Sequence, residues 1–124
     1  MKKALIYSIS TLMLLTIFIG CSKSSGGGTG GGGGGFTVNC STITNKAFTA
    51  DVNPIVQSIC AVSGCHAAGS TNGPGGLTNY SQVFNARSNI RTAIANGSMP
   101  QGTTLSDAQR GSIICWIDSG APNN

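Results

Sequence analysis

Apolar residues follow different patterns in successive parts of the chain. From Ala4 to Ile19 they run almost unbroken, interrupted only by Ser and Thr. From Ser22 to Gly35 there are none. From Phe36 onward they return at spaced positions, and the spacing predicts helices. Asn53-Pro54 suits a helix start, with Asn as cap and Pro in the first turn. Ile55, Val56 and Ile59 then form one apolar stripe leading into Cys60. Tyr80 to Asn96 reads as helical, in one or two pieces, on Val83, Phe84, Ile90 and Ile94, and Asn96-Gly97 ends it because both residues tolerate a left-handed backbone. Ser106-Asp107-Ala108-Gln109 is a capping box opening a last helix. Ile113, Trp116 and Ile117 share one side of that helix, and Gly120 with Pro122 stops it. Period-two alternation is nowhere long enough to predict a sheet, although Phe36 to Ile43 suits one extended segment. The glycines at 64, 69, 73, 75 and 76 make the stretch after Val62 a loop, with a short turn around His66.

The first two parts do not belong to the folded unit. Lys2 and Lys3 before the apolar run make residues 1–20 a secretory signal, too short for a convincing spanning helix. Its ending, Phe18-Ile19-Gly20-Cys21, resembles a bacterial lipobox, with Phe18 where Leu is usual. That resemblance implies cleavage before Cys21 and acylation of Cys21, which would anchor the exported protein to a bacterial membrane. Cys21 and the stretch Ser22 to Gly35 then form a tether, residues 21–35. Containing only Ser, Lys, Thr and Gly after the cysteine, it cannot bury apolar surface, and it would span on the order of 20 Å.

Residues 36–124 remain as one small domain. Its charges are Lys46, Arg87, Arg91 and Arg110 against Asp51, Asp107 and Asp118, four minus three, or +1. The net +4 of the chain therefore comes largely from Lys2, Lys3 and Lys23, and nothing in the domain favours nucleic acid. With three carboxylates and no nucleophile, base and orienter in sight, an enzyme is not expected. A domain this short benefits from a staple.

Chemistry concentrates in Cys60-Ala61-Val62-Ser63-Gly64-Cys65-His66, which holds two of the five cysteines and the only histidine. A Cys followed directly by His, with another Cys upstream, is the layout of covalent haem attachment. Two thiols add across the haem vinyl groups, and the adjacent imidazole reaches the iron as proximal ligand. The gap between the thiols is four residues rather than the usual two, so the motif is an expanded Cys-x4-Cys-His. Zinc is poorly supported, because only Cys60 and Cys65 are closely spaced.

Setting Cys21 aside leaves Cys40, Cys60, Cys65 and Cys115, an even number in an exported chain. Three arrangements fit. Cys60 and Cys65 bind haem while Cys40 and Cys115 pair; or all four form two disulfides without a cofactor; or Cys60 joins Cys115 and Cys65 alone holds haem. Met99, the only methionine outside the signal, sits in Gly97-Ser98-Met99-Pro100 between two predicted helices. There it is either a gap-filling side chain or a soft sixth iron ligand that favours the reduced metal, with Pro100 stiffening its loop.

Taken together, Asp51-Val52-Asn53-Pro54-Ile55, Cys60 to His66, Asn96 to Pro100 and Cys115 to Pro122 resemble a class I c-type cytochrome domain, and more narrowly the small cytochrome c domains of bacterial lipoproteins. The likeness covers residues 48 to 124. It implies an all-α domain around one covalent haem c, with Cys60 and Cys65 in thioethers, His66 as proximal and Met99 as distal ligand. It also implies that the first and last helices cross, using Ile55, Ile59, Trp116 and Ile117. The function expected is single-electron transfer between exported redox partner proteins by a monomeric, lipid-anchored carrier. The alternative is a disulfide-stapled surface lipoprotein that binds a protein or glycan and holds no haem.

Overall fold

The structure, a computed structural model, describes residues 35–124. The expected signal, Cys21 and nearly all of the expected tether lie outside the described residues. Within them the domain is helical, with three helices and no strand. The first, α1, is a continuous rod made of Phe48–Val52, Asn53–Ile55 and Val56–Cys60. The second, α2, is Tyr80–Ala95, and the third, α3, is Asp107–Asp118.

α1 begins five residues before the Asn53-Pro54 start expected from the sequence, and Asn53 is not its cap. The chain's far end supplies the missing acceptors. Phe48 N donates to Asn124 Oδ1 at 2.9 Å and Thr49 N to the Asn124 carbonyl at 2.8 Å. Asp51 accepts from Ala47 N at 2.8 Å. A helix start capped from the other end of the chain leaves no local signature. Pro54 sits inside the rod, which has wide turns on either side, with i→i+5 bonds from Val52 N to Ala47 O and from Ala61 N to Val56 O.

α2 is one piece, capped by Asn79, whose side chain accepts from Gln82 N. Gly97 follows with φ of +74°, the left-handed stop that the Asn-Gly pair predicts. α3 opens with the reciprocal Ser106–Gln109 capping box. The crossing of the first and last helices runs through Phe48 and Trp116, whose rings lie 5.3 Å apart. Tyr80 packs edge-on to Phe48 at 5.0 Å. The polar tips of both larger rings are satisfied by the tail: Trp116 Nε1 donates to the Pro122 carbonyl and Tyr80 OH to the Ala121 carbonyl, each at 2.9 Å. Ile55, Ile59 and Ile117 are half-buried around this centre.

α3 is buried over six consecutive residues, Gly111 to Trp116, not along one stripe. Its second face is covered by residues 35–47, which form no strand. Cys40 is joined to Cys115 by a disulfide. Gly111 allows the approach, because a Cβ there would meet Ile43 Cδ1 at 3.1 Å and Val38 Cγ2 at 3.4 Å. Phe36 N donates to the Ala95 carbonyl, tying the same segment to the end of α2.

Candidate functional site

Cys60 closes α1, and the four residues after it are folded outward as a turn. Cys65 N donates to Val62 O at 3.1 Å, Gly64 adopts φ of +81°, and Val62 at the tip is exposed. His66 N then donates back to the Cys60 carbonyl at 3.0 Å. The longer gap is thus looped out, and His66 returns to the end of α1.

His66 is buried, at 7% exposure. Its Nδ1 lies 2.9 Å from the Gly75 carbonyl. A carbonyl can only accept, so Nδ1 carries the proton and, in the neutral ring, the lone pair is on Nε2. The backbone is fixed as well, since Leu77 N donates to the His66 carbonyl at 2.9 Å. Leu77 itself is buried in the core, anchoring the far end of the loop.

Met99 is half-buried in the turn after α2. Its amide donates to Ala93 O at 3.2 Å, and Ser98 N donates to Asn96 Oδ1 at 2.9 Å. The thioether is therefore presented by a loop whose backbone is tied to the last turn of α2.

These elements enclose a cavity of about 570 Å³ that Cys60, Cys65, His66 and Met99 all line. Most of the remaining wall is apolar: Val56 and Ile59 of α1, Leu77 of the loop before α2, Ile90, Ala93 and Ile94 of α2, then Pro100, Leu105 and Ile113. The polar contributors Asn72, Asn89, Ser98 and Gln101 belong to exposed residues. The volume lies inside the range of about 300–1,000 Å³ usual for small-molecule and cofactor sites. Among the described residues, no Lys, Arg, Asp or Glu lines the cavity.

Cys115 is taken by Cys40, which rules out for this structure the arrangement that pairs Cys60 with Cys115, and Cys60 itself carries no disulfide, which rules out the arrangement of two disulfides. Burial pushes the Cys60 thiol up to about 11, and the neighbouring Cys65 adds to the shift. Cys60 is thus protonated at neutral pH. Among the described residues no three His, Cys, Asp or Glu side chains gather as a metal-ligand group.

The sequence pattern singled out all four cavity residues by type and spacing. It did not single out the Gly75 carbonyl, nor Ser70 and Asn72, whose side chains bond the Cys65 carbonyl. The only hint of them was the Gly- and Pro-rich character of residues 69–76. No family model, no curated protein and no solved structure matches this chain.

Proposed function

We propose that the chain is an exported, lipid-anchored c-type cytochrome that holds one covalent haem c and passes single electrons between redox partner proteins. The observation that carries this reading is the convergence of Cys60, Cys65, His66 and Met99 on one largely apolar cavity. Either residue group alone would be a weak signal; a thiol pair, an imidazole and a thioether on one cavity wall are the donor set of a class I cytochrome site.

The residues fit the group. Cys60 and Cys65 would hold the ring by thioethers, each formed when an S–H adds across a vinyl group. His66 presents an imidazole whose Nδ1–H is already committed to the Gly75 carbonyl, which fixes the ring's orientation and leaves Nε2 for iron. Met99 offers a soft sulfur that favours the reduced metal. Bound haem supplies reversible one-electron exchange at iron. The apolar wall formed by Val56, Ile59, Leu77, Ile94, Leu105 and Ile113 would shield a bound haem from water. With His66 and Met99 both serving as iron ligands, the chain would leave no open position for a substrate, which supports a carrier rather than an enzyme.

Cys21 would carry the lipid and the Gly-rich stretch would let the domain reorient above the membrane. Acylated Cys21 at the mature amino terminus is read directly by mass spectrometry.

A haem stain of the denatured protein, produced together with cytochrome maturation machinery, tests the central claim, because only covalent haem survives denaturation. A red product with a sharp alpha band on reduction is expected. A colourless product of correct mass would leave the disulfide-stapled binding lipoprotein as the reading, with Cys40–Cys115 as its staple.

A further inference from the structure

We infer that Asn72 is the positioning residue that makes the expanded Cys-x4-Cys-His segment competent, by clamping the Cys65 end of the motif to the turn that orients the His66 ring. The inference rests on the proposed haem site and concerns how this chain builds it.

Looping four residues out between Cys60 and Cys65 removes the helical continuity that would otherwise set the second thiol and the imidazole. Something else must fix them. Asn72 Nδ2 donates to the Gly64 carbonyl at 3.0 Å and to the Cys65 carbonyl at 3.1 Å. Both are peptide groups of the outward turn immediately before His66. From the same residue, the main-chain carbonyl accepts from Gly75 N at 2.5 Å. The Gly75 carbonyl then accepts from His66 Nδ1. Asn72 thus sits at the middle of a closed path: Cys65 carbonyl, Asn72 side chain, Asn72 main chain, Gly75, His66 ring. Ser70 Oγ donates to the same Cys65 carbonyl and accepts from Asn72 N at 3.2 Å, bracing the clamp from one side.

The residue type matters. Two carbonyls can be held only by a side chain with two N–H donors on one nitrogen and a short stem, which Asn provides and Asp, of equal size, does not. Asn72 is exposed and lies outside the buried core, so its bonds contribute little to global stability. It also lines the cavity. Its effect falls on where the Cys65 sulfur is carried and which His66 nitrogen keeps the proton.

The test uses the full chain as purified and compares the parent with Asn72→Asp and Asn72→Ala. The chain has a single histidine, so the ring Nδ1–H signal of His66 is assigned without ambiguity by nitrogen-edited NMR, in the haem-free chain or in the reduced haem-loaded chain. Exchange of that proton with water should rise by about tenfold in both variants, the equivalent of about one lost hydrogen bond. The haem-stained fraction should fall in the same variants, while the thermal midpoint stays near that of the parent. Unchanged Nδ1–H exchange in both variants overturns the inference, as does a fall in thermal midpoint with no change at His66. A parent that never stains for haem counts against the proposed function instead, and the NMR arm still decides whether Asn72 holds the ring.

Discussion

The main-chain amide of His66 donates to the carbonyl of Cys60, at 3.0 Å, across the five residues that separate them. That bond closes the outward turn and returns the imidazole to the end of α1. It makes the stretch between the two residues an excursion that ends where it began. The turn depends on Gly64 at φ of +81°.

Gly64→Ala should therefore act through the backbone alone, because a Cβ there would meet nothing within 4 Å. The expected loss is about 1–2 kcal/mol of local stability. It should appear as faster amide exchange at Cys65 and His66, with Leu77 and Trp116 unaffected. Uniform destabilisation across the domain would contradict this account.

Burial holds the Cys60 thiol protonated until about pH 11, against 9.0 for the ordinary group. In the haem-free protein the unfolded chain would release this proton first. The folded-state pKa is raised, so the associated stability is complete below pH 9, the unfolded value, and is lost as pH rises toward 11. Denaturant midpoints of the haem-free chain should fall across that interval, and Cys60→Ala should flatten the dependence. Alkylation of Cys60 at pH 8 should likewise be slow in the folded protein and fast in denaturant.

The Cys40–Cys115 bridge closes a loop of 75 residues, for which chain entropy gives about 4 kcal/mol. Replacing both cysteines by alanine should lower stability by about 2–4 kcal/mol, seen as an earlier denaturant midpoint. Because the bridge fastens residues 35–47 over α3, proteolysis should cut first within that segment in the variant. Coincident loss of the whole domain would indicate that the segment and the helices unfold together.

On the proposed reading, Met99→Ala leaves Cys60, Cys65 and His66 in place and so keeps covalent haem. The sixth position then opens to water or added ligands, ferric iron gains a high-spin fraction, and the midpoint potential falls. Redox titration and the weak long-wavelength absorption of ferric Met-ligated haem measure this. An unchanged potential and spin state would assign Met99 to packing only.

α3 shows where sequence patterns stop being informative. Its capping box was legible because Ser106 and Gln109 bond each other across a single turn. The same holds for Asn96-Gly97 at the end of α2. The Ile113 and Trp116 stripe was legible too, but not the burial of the whole span from Gly111 to Trp116. That burial comes from Val38, Ile43 and Cys40, more than sixty residues away, lying across the second face. The start of α1 was misplaced for a similar reason, since its acceptors come from Asn124.

The amino-acid sequence by itself determined the helical character of α2 and α3 and their ends, and it singled out Cys60, Cys65, His66 and Met99 as the candidate chemistry-bearing residues. These follow from interactions within a few residues, or from rare side chains in a telling order. Only the tertiary structure decided that Cys40 takes Cys115, that the four chemical residues line one cavity, and that the His66 proton sits on Nδ1. Each of those depends on groups brought together from distant positions, or on a main-chain carbonyl such as that of Gly75, and a peptide carbonyl is the same in every residue until the fold gives it a neighbour.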